Sequence, residues 1–142
     1  MRTVKEIDLA LKNEPGQLTA ITELFLANGI QLIAFCLATG HKEGRVRFVA
    51  SDPQRAINVL KTAGYEQKVK EVIACEAPKH PGGLNALLKP LKLANINIDN
   101  IYPCIGTGDM TVFIIEVGPI EQALKIMEDN WIRVLGSELY SI

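Results

Sequence analysis

A repeated turn divides the chain into two similar halves. Residues 13–18 read NEPGQL, and residues 79–84, which lie 66 positions later, read KHPGGL. The same offset aligns identical residues at predicted turns and buried positions: Ile7 with Ile73, Pro15 with Pro81, Gly16 with Gly82, Leu18 with Leu84, Ala20 with Ala86, Ile30 with Ile96, Gly40 with Gly106, Val46 with Val112 and Pro53 with Pro119. Self-similarity at a fixed offset indicates a duplicated structural unit. We therefore expect two copies of one small domain, over residues 1–70 and 71–142.

Each half is predicted to run strand, helix, strand, strand, helix, strand. In the first segment Ile7, Leu9 and Leu11 alternate with polar or small residues, which is typical of a half-buried strand over residues 4–12. Apolar residues then recur every three or four positions and predict a helix that ends at Asn28-Gly29. The remaining predicted elements of repeat one are strands at 30–39 and 45–50 joined by a hairpin connection at 40–44, a helix from Asp52-Pro53 to Gly64, and a last strand from about Tyr65.

Repeat two is predicted to follow the same course. Its elements are a strand at 72–77, a helix from the Pro81-Gly82 turn to Ala94-Asn95, strands at 96–105 and 111–117, a helix from Pro119 to about Asp129, and a final strand at 134–141. Pro90 lies inside the first of these helices and predicts a kink, or a break near Lys89. Residues 68–77 must supply both the last strand of repeat one and the first strand of repeat two, as one long strand or with a turn near Lys70-Glu71.

Two βαββαβ units predict an α+β fold of two tandem ferredoxin-like sandwiches, each an antiparallel sheet with both helices on one face. On the other face, repeat one is predicted to place Asp8, Arg45 and Arg47, which favours contact with water. Repeat two is predicted to expose an apolar set there: Val72, Ala74, Phe113 and Ile115. An exposed apolar face marks an interaction surface, so we expect a homodimer through this face of repeat two.

Composition and charge exclude several classes of function. The formal net charge is −1, from 15 basic and 16 acidic residues scattered along the chain, which provides no surface for nucleic acid or an anionic membrane. No apolar run approaches the roughly 18 residues that a membrane span needs. The N-terminal residues are charged and lead directly into a strand, without the pattern of a signal or transit peptide, so a cytoplasmic protein is expected.

Cysteines and large aromatic residues are predicted to be structural. Cys36, Cys75 and Cys104 lie far apart in apolar strands, without the spacing of a metal site or a disulfide framework, and we expect buried thiols. No metal or cofactor is predicted. Trp131 aligns with Tyr65 after the second helix of each repeat, and both are expected to fill the cores.

The repeated turn is the candidate binding element. Pro15 cannot continue a strand ladder, and Gly16 allows a tight bend that leaves the backbone open to a ligand. The helix that follows begins with amide N–H groups that have no intrahelical acceptor and carry partial positive charge. We therefore expect at least one of the two turns to hold the carboxylate of a free amino acid.

The Pro-Gly turn after the first strand, the start of the second strand (Gly29-Ile30-Gln31 and Asn95-Ile96-Asn97-Ile98) and the βαββαβ order resemble the ACT domain family. The resemblance covers essentially the whole chain as two tandem copies. It implies a stand-alone regulatory module that senses a small molecule, usually an amino acid, and that partners an enzyme of amino-acid metabolism.

The resemblance also implies a composite site at the seam between the two repeats. An asparagine two residues before the proline of one copy and an asparagine at the second strand of the other hold the ligand, and Asn13 and Asn97 occupy these positions. The site residues implied are Asn13, Glu14, Pro15, Gly16, Gln17, Leu18, Asn97, Ile98 and Asp99, with Glu14 or Asp99 near the ligand ammonium and Leu18 and Ile98 along its side chain. The second seam is altered or silent: it contains Gln31, Lys79, His80, Gly82, Gly83 and Leu84.

Other interpretations remain open from the sequence. Asn13 and Asn97 are also suited to local backbone hydrogen bonds at a turn and a strand edge, and His80 to an exposed loop. An enzyme is disfavoured because no nucleophile, base and orienting residue occur together, and no phosphate loop or dinucleotide fingerprint is present. The main alternative is a non-catalytic assembly module that dimerises or docks on an enzyme, which no amino acid would stabilise.

Overall fold

The computed structural model describes residues 2–39 and 43–142. The chain forms two compact units. The repeat-one unit spans Lys5–Lys70, and the repeat-two unit comprises Glu71–Ile142 together with the N-terminal residues through Val4. One continuous strand, Gln67–Pro78, runs across the boundary in the chain, so the long-strand interpretation is correct and no turn interrupts it at Lys70-Glu71.

The repeat-one unit has the predicted order of elements. They are β1 (Val4–Lys12), α1 (Gln17–Ala27), β2 (Leu32–Thr39), β3 (Glu43–Ala50), α2 (Pro53–Thr62) and the beginning of β4 (Gln67–Pro78). Strand β3 lies between β1 and β2 and pairs antiparallel with both, with Leu9 opposite Val46 and Thr39 opposite Gly44. The predicted hairpin connection at 40–44 includes residues 40–42, which lie outside the described residues.

The repeat-two unit continues β4 and adds α3 (Gly83–Leu93), β5 (Ile98–Pro103), β6 (Met110–Val117), α4 (Ile120–Asp129) and β7 (Val134–Leu135). Its antiparallel sheet has the order β5-β6-β4-β7. The final strand predicted at 134–141 is wrong beyond Leu135, because the chain turns at Gly136 into a 3₁₀ helix, Ser137–Ser141, that buries Leu139.

Each unit buries an apolar core between its helices and one sheet face. In repeat one, the alternate residues of β1 and β3 meet α1 and α2 in a cluster that includes Ile7, Leu9, Leu11, Ile21, Phe25, Val46, Phe48, Ala50, Ala56 and Leu60. The rings of Phe25 and Phe48 pack edge to face at 5.4 Å. The repeat-two cluster is built in the same way from Ile73, Cys75, Ala77, Leu87, Leu91, Ile115, Val117, Ala123 and Met127. The two tandem ferredoxin-like sandwiches predicted from the sequence are therefore confirmed.

All four α-helices of the described chain end in the same C-terminal motif. The second residue past the C-cap donates its N–H to the carbonyl five residues earlier at 2.9 Å, in the pairs Ile30 to Phe25, Tyr65 to Leu60, Ile96 to Leu91 and Ile132 to Met127. The residue before each donor has positive φ: Gly29, Gly64, Asn95 and Trp131. This is the Schellman motif, in which an apolar residue past the helix packs against its last turn.

The motif explains why the prediction for Trp131 is wrong. Ile132, and not Trp131, occupies the position of Tyr65, because repeat two has one additional residue before β6. From there on equivalent core residues lie 67 positions apart, as Leu60 and Met127 do. Tyr65 and Ile132 both pack against their cores, whereas Trp131 occupies the left-handed position and is 95% exposed. The predicted core role is correct for Tyr65 only.

The sheet faces opposite the helices are also not as predicted. Asp8 is only 3% exposed, and its carboxylate forms ion pairs with Arg45 at 3.0 Å and with Arg47 at 3.3 Å. The repeat-one face is therefore not open to water at Asp8. In repeat two, the register places Ile115 opposite Ile73 and Phe113 opposite Cys75, on the helix side.

The apolar face predicted for dimerisation is therefore not exposed. Val72 and Ala74 do lie on the face opposite the helices, but with Val112 and Ile114, and all four are buried within the chain. A covered face cannot supply the predicted homodimer contact. Self-association by another surface stays a prediction.

Pro90 does not break α3, which continues to Leu93. The residue has no N–H to donate to the carbonyl of Ala86. It lies so close to the helix end that the last turn still closes, through the hydrogen bond from Ala94 N–H to the Pro90 carbonyl at 3.1 Å. The break near Lys89, one of two predicted outcomes, does not occur.

Burial of the cysteines is confirmed for Cys75 and Cys104, while Cys36 is half-buried. All three are free thiols. Burial, and to a smaller extent the neighbouring Cys104, raises the pKa of Cys75 to about 12. Burial likewise raises the pKa of Cys104 to about 12. Both thiols are therefore held in their protonated form at neutral pH.

Candidate functional site

The repeat-one turn bends the chain from β1 into α1. Glu14 N–H donates to the carbonyl of Lys12 at 2.9 Å, and Gly16 has φ of +84°. This left-handed conformation costs an L-residue energy that glycine avoids. Helix α1 begins at Gln17, and its first hydrogen bond runs from Ala20 N–H to the Gly16 carbonyl at 3.0 Å. The N–H groups of the first turn therefore have no acceptor within the helix.

Five of the predicted site residues line one small cleft in the repeat-one unit: Asn13, Glu14, Gly16, Gln17 and Leu18. The cleft has a volume of about 140 Å³. Four or five water molecules occupy about this space, at roughly 30 Å³ each. Pro15 is exposed in the same turn but does not line the cleft. The arrangement suits the polar head of a small molecule better than a large ring.

The opposite wall of this cleft consists of residues that the sequence did not predict. Leu37 and Thr39 at the end of β2, and Gly44 at the start of β3, complete the lining with Leu11, Lys12 and Thr19. A Cβ at Gly44 would lie 3.3 Å from the carbonyl oxygen of Ala38, so a larger residue has little space there. The signal lay in the antiparallel pairing of Thr39 with Gly44, which depends on a register that the sequence does not specify.

The electrostatics of the helix start favour an anion. Helix α1 has no side-chain cap and no acidic residue in its first turn. Helix α2, in contrast, is capped by Asp52, whose carboxylate accepts from Arg55 N–H at 3.1 Å. The uncapped amides and the partial positive charge of α1 can therefore bind a carboxylate. Lys12 and Glu14 supply one charge of each sign at the same cleft.

The predicted residues of the second strand lie in the repeat-two unit. Asn97 is exposed, and its Nδ2 donates to Oδ1 of Asp99 at 3.0 Å. Ile98 is half-buried against the core. Asn97 and Ile98 border an open groove of about 390 Å³ beside the end of α3, together with Lys92 and Asn95. The structure thus brings Asn97 and Asp99 together, and the pairing of Asn97 with Asn13 stays a prediction.

The repeat-two turn has the same bend but different side chains and different amide hydrogen bonds. Gly82 has φ of +89°, matching Gly16. Gly83 occupies the position of Gln17 and is buried. Its N–H donates to the carbonyl of His80 at 2.9 Å. A Cβ added to Gly83 would lie 2.0 Å from the carbonyl oxygen of Pro78. One amide of this turn is therefore already used.

The other residues predicted for the second seam are mostly engaged or exposed. Lys79 Nζ donates to the carbonyl of Gly108, and Nδ1 of His80 lies 2.7 Å from the Pro81 carbonyl oxygen. Leu84 is exposed. Gln31 N–H donates to Oγ of Ser51 at 2.9 Å, which ties the start of the second strand to the end of β3.

Within residues 2–39 and 43–142, no three or more His, Cys, Asp or Glu side chains are grouped so that they could hold a metal ion. In the same part of the chain, every helix is too short or too polar to cross a membrane.

Comparisons with known proteins agree with this architecture. The family model described as ACT domain pair matches residues 2–141. Protein BT0572 from Bacteroides thetaiotaomicron is 25% identical in sequence, with a TM-score of 0.92 over 99% of this chain and 98% of that one. No curated protein sequence matches the chain.

Regulatory subunits of aspartate kinase also share the fold. The ligand-free form from Thermus thermophilus is 15% identical, with a TM-score of 0.64 over 89% of this chain and 91% of that one. The subunit from Thermus flavus is 15% identical, with a TM-score of 0.62 over 92% of this chain and 94% of that one. At this identity the similarity establishes the fold alone.

Proposed function

Since this chain belongs to the family of ACT domain pairs, we propose that it is a non-catalytic regulatory module that binds a free amino acid at the repeat-one turn. ACT domains are in general regulatory modules for small molecules, and amino acids are their usual ligands. The observation that carries the proposal is the cleft of about 140 Å³ around Asn13, Glu14, Gly16, Gln17 and Leu18.

The cleft offers each group that the head of an amino acid requires. The first-turn amides of α1 donate to the carboxylate, since the helix has no side-chain cap of its own. The carboxylate of Glu14 balances the ammonium group, and the amide of Asn13 can both donate and accept. Leu18 and Leu37 lie beside the ligand's side chain. The small volume accepts the polar head, and a longer side chain extends out of the cleft.

The repeat-two turn is not proposed as an equivalent site. Gly83 replaces Gln17 and its backbone lies against the Pro78 carbonyl, and one first-turn amide is bonded to the carbonyl of His80. Lys79, in place of Asn13, donates to Gly108. We therefore propose one competent site per chain, as the sequence predicted.

The two glycines provide a matched test. Gly16 and Gly82 have nearly equal positive φ, and a Cβ at either position meets nothing within 4 Å. Gly16→Ala and Gly82→Ala therefore strain the backbone alike and change no packing. Screening the twenty amino acids by thermal shift on the wild type identifies the ligand, because saturation at 100 times Kd stabilises the fold by about 2.7 kcal/mol. The Gly16 variant is expected to lose this response, and the Gly82 variant to keep it.

Asn97 is proposed as a second contributor to the site. Removing one partner of a buried polar ligand costs about 1–3 kcal/mol, which is roughly tenfold to a hundredfold in affinity. We expect Asn97→Ala to weaken binding by this amount in titration calorimetry, with Asn95→Gly as the control from the same connection, since glycine tolerates the positive φ there. Unchanged affinity for the Asn97 variant would remove Asn97 from the site and leave the repeat-one cleft unaffected.

The alternative function is distinguished by the same screen. A module that only self-associates, or only docks on an enzyme of amino-acid metabolism, is stabilised by none of the twenty amino acids. Binding of an amino acid at a site indifferent to both glycine substitutions would support sensing but contradict the location proposed here.

A further inference from the structure

Trp131, the single tryptophan of the chain, is 95% exposed. It follows α4 with φ of +59°. Large aromatic residues are normally buried over most of their surface, and a bulky L-residue with positive φ is a conformational outlier. The indole therefore adds almost no packing, while its backbone conformation is unfavourable.

The other helix ends show what this position requires. The equivalent left-handed residues after α1, α2 and α3 are Gly29, Gly64 and Asn95, the residue types that tolerate positive φ best. Nothing in the Schellman motif of α4 needs an indole, because the apolar contact is made by Ile132. Strained residues of this kind concentrate at ligand sites.

A cleft of about 310 Å³ lies directly beside Trp131. Its walls come from the end of β4, the start of α3 and the α4–β7 connection, and its apolar lining includes Ala77, Pro78, Leu87, Met110 and Ile132. The cleft is at the small end of the range for ligand sites, roughly 300–1,000 Å³. It can hold a single aromatic ring with a short substituent, and no folded partner.

One charged pair borders the same cleft. Nη1 of Arg133 lies 2.6 Å from Oε1 of Glu76, the Arg133 side chain is 64% exposed, and that of Glu76 is 15% exposed. The guanidinium therefore keeps N–H donors toward solvent, whereas the carboxylate is largely covered. An entering ligand meets a cation with the geometry to bind a carboxylate through two hydrogen bonds.

We propose that this cleft binds a small planar aromatic carboxylate, with its ring against the indole of Trp131 and its carboxylate on Arg133. The site lies wholly within the repeat-two unit and is separate from the amino-acid site proposed at the repeat-one turn. It shares only Gly83 with the residues that the sequence assigned to the second seam.

Titration with phenylacetate tests the proposal directly, with Trp131 as an intrinsic probe. Phenylacetate has no α-ammonium group, so it does not meet the requirements of the amino-acid site. Excitation of the single tryptophan should show a saturable blue shift of its emission and protection from quenching by acrylamide. Emission that does not change in a saturable way with phenylacetate would overturn the proposal.

Calorimetry on variants separates the two contacts. Arg133→Gln is expected to weaken phenylacetate at least tenfold and to leave the neutral analogue phenylacetamide unchanged, and Arg133→Lys should restore part of the loss. Trp131→Phe should retain most of the affinity, whereas Trp131→Gly should reduce it at least tenfold while raising Tm. Equal losses for both ligands in Arg133→Gln, or a lower Tm for Trp131→Gly, would contradict the roles assigned to these residues.

Discussion

At the scale of single residues, the chemistry of Cys75 provides a test of burial. Burial raises its pKa from an ordinary 9.0 to about 12, so the folded state holds the thiol proton more tightly than the unfolded state. The contribution to stability is complete below pH 9 and is lost as pH rises from about 9 to 12, where unfolding releases the proton.

We therefore expect the free energy of unfolding of the wild type to fall more steeply with pH above 9 than that of a Cys75→Ala variant. Urea unfolding at pH 8, 9 and 10 measures both slopes. Cys104 titrates in the same range and remains in both proteins, so the difference in slope isolates Cys75. Parallel slopes would mean that Cys75 is accessible to water in the folded state.

At the scale of secondary structure, helix ends show how local chemistry sets the elements. Asp52 caps α2 through Arg55 N–H at 3.1 Å, and Pro53 follows in the first turn. We expect Asp52→Ala to reduce the free energy of unfolding by about 1 kcal/mol. Asp52→Asn keeps the acceptor and should cost much less. A similar loss in both variants would assign the effect to charge and not to capping.

At the end of α4, in contrast, a substitution is expected to stabilise the protein. Glycine avoids the cost of positive φ, which is about 1–2 kcal/mol for an L-residue, but gains freedom in the unfolded chain. Trp131→Gly should therefore raise the free energy of unfolding by roughly 1 kcal/mol in urea titrations, since the exposed indole contributes no core contact. Asn95→Gly, at the same position after α3, should stabilise less, because asparagine already tolerates positive φ.

Local patterns specified most of these elements in advance. Alternation in Ile7, Leu9 and Leu11 predicted β1, and the Pro-Gly pairs predicted both strand-to-helix turns. The errors arose where a single-residue shift matters. One additional residue before β6 moved Trp131 into the left-handed position after α4, and a fixed offset of 66 cannot detect such an insertion.

At the scale of the whole molecule, duplication was readable from sequence because turns and core positions repeat together. The burial of the sheet faces opposite the helices could not be read from the sequence. Alternation assigned Asp8 to the face opposite the helices, but it could not show that Asp8 would be buried with Arg45 and Arg47. The same limit applies to Val72 and Ala74, which alternation assigned to an exposed face and which are fully buried.

The candidate site also combines residues that local sequence predicts with residues that only strand pairing brings in. The residues of the turn, from Asn13 to Leu18, follow from local sequence, whereas Leu37, Thr39 and Gly44 enter through strand pairing. The difference between the two turns, in contrast, is local, because Gly83 lies against the carbonyl of Pro78 within the same turn. Duplication thus supplied two similar turns, whose side chains and amide hydrogen bonds now differ.

Titration calorimetry of the amino acid identified by thermal shift, against the wild type and the two glycine variants, tests this account most directly. We expect saturable binding to the wild type, comparable affinity for Gly82→Ala, and at least a tenfold loss for Gly16→Ala with both variants equally folded. Equal affinity for all three proteins would place the ligand elsewhere, and absence of binding to the wild type by any of the twenty amino acids would contradict the proposed sensor.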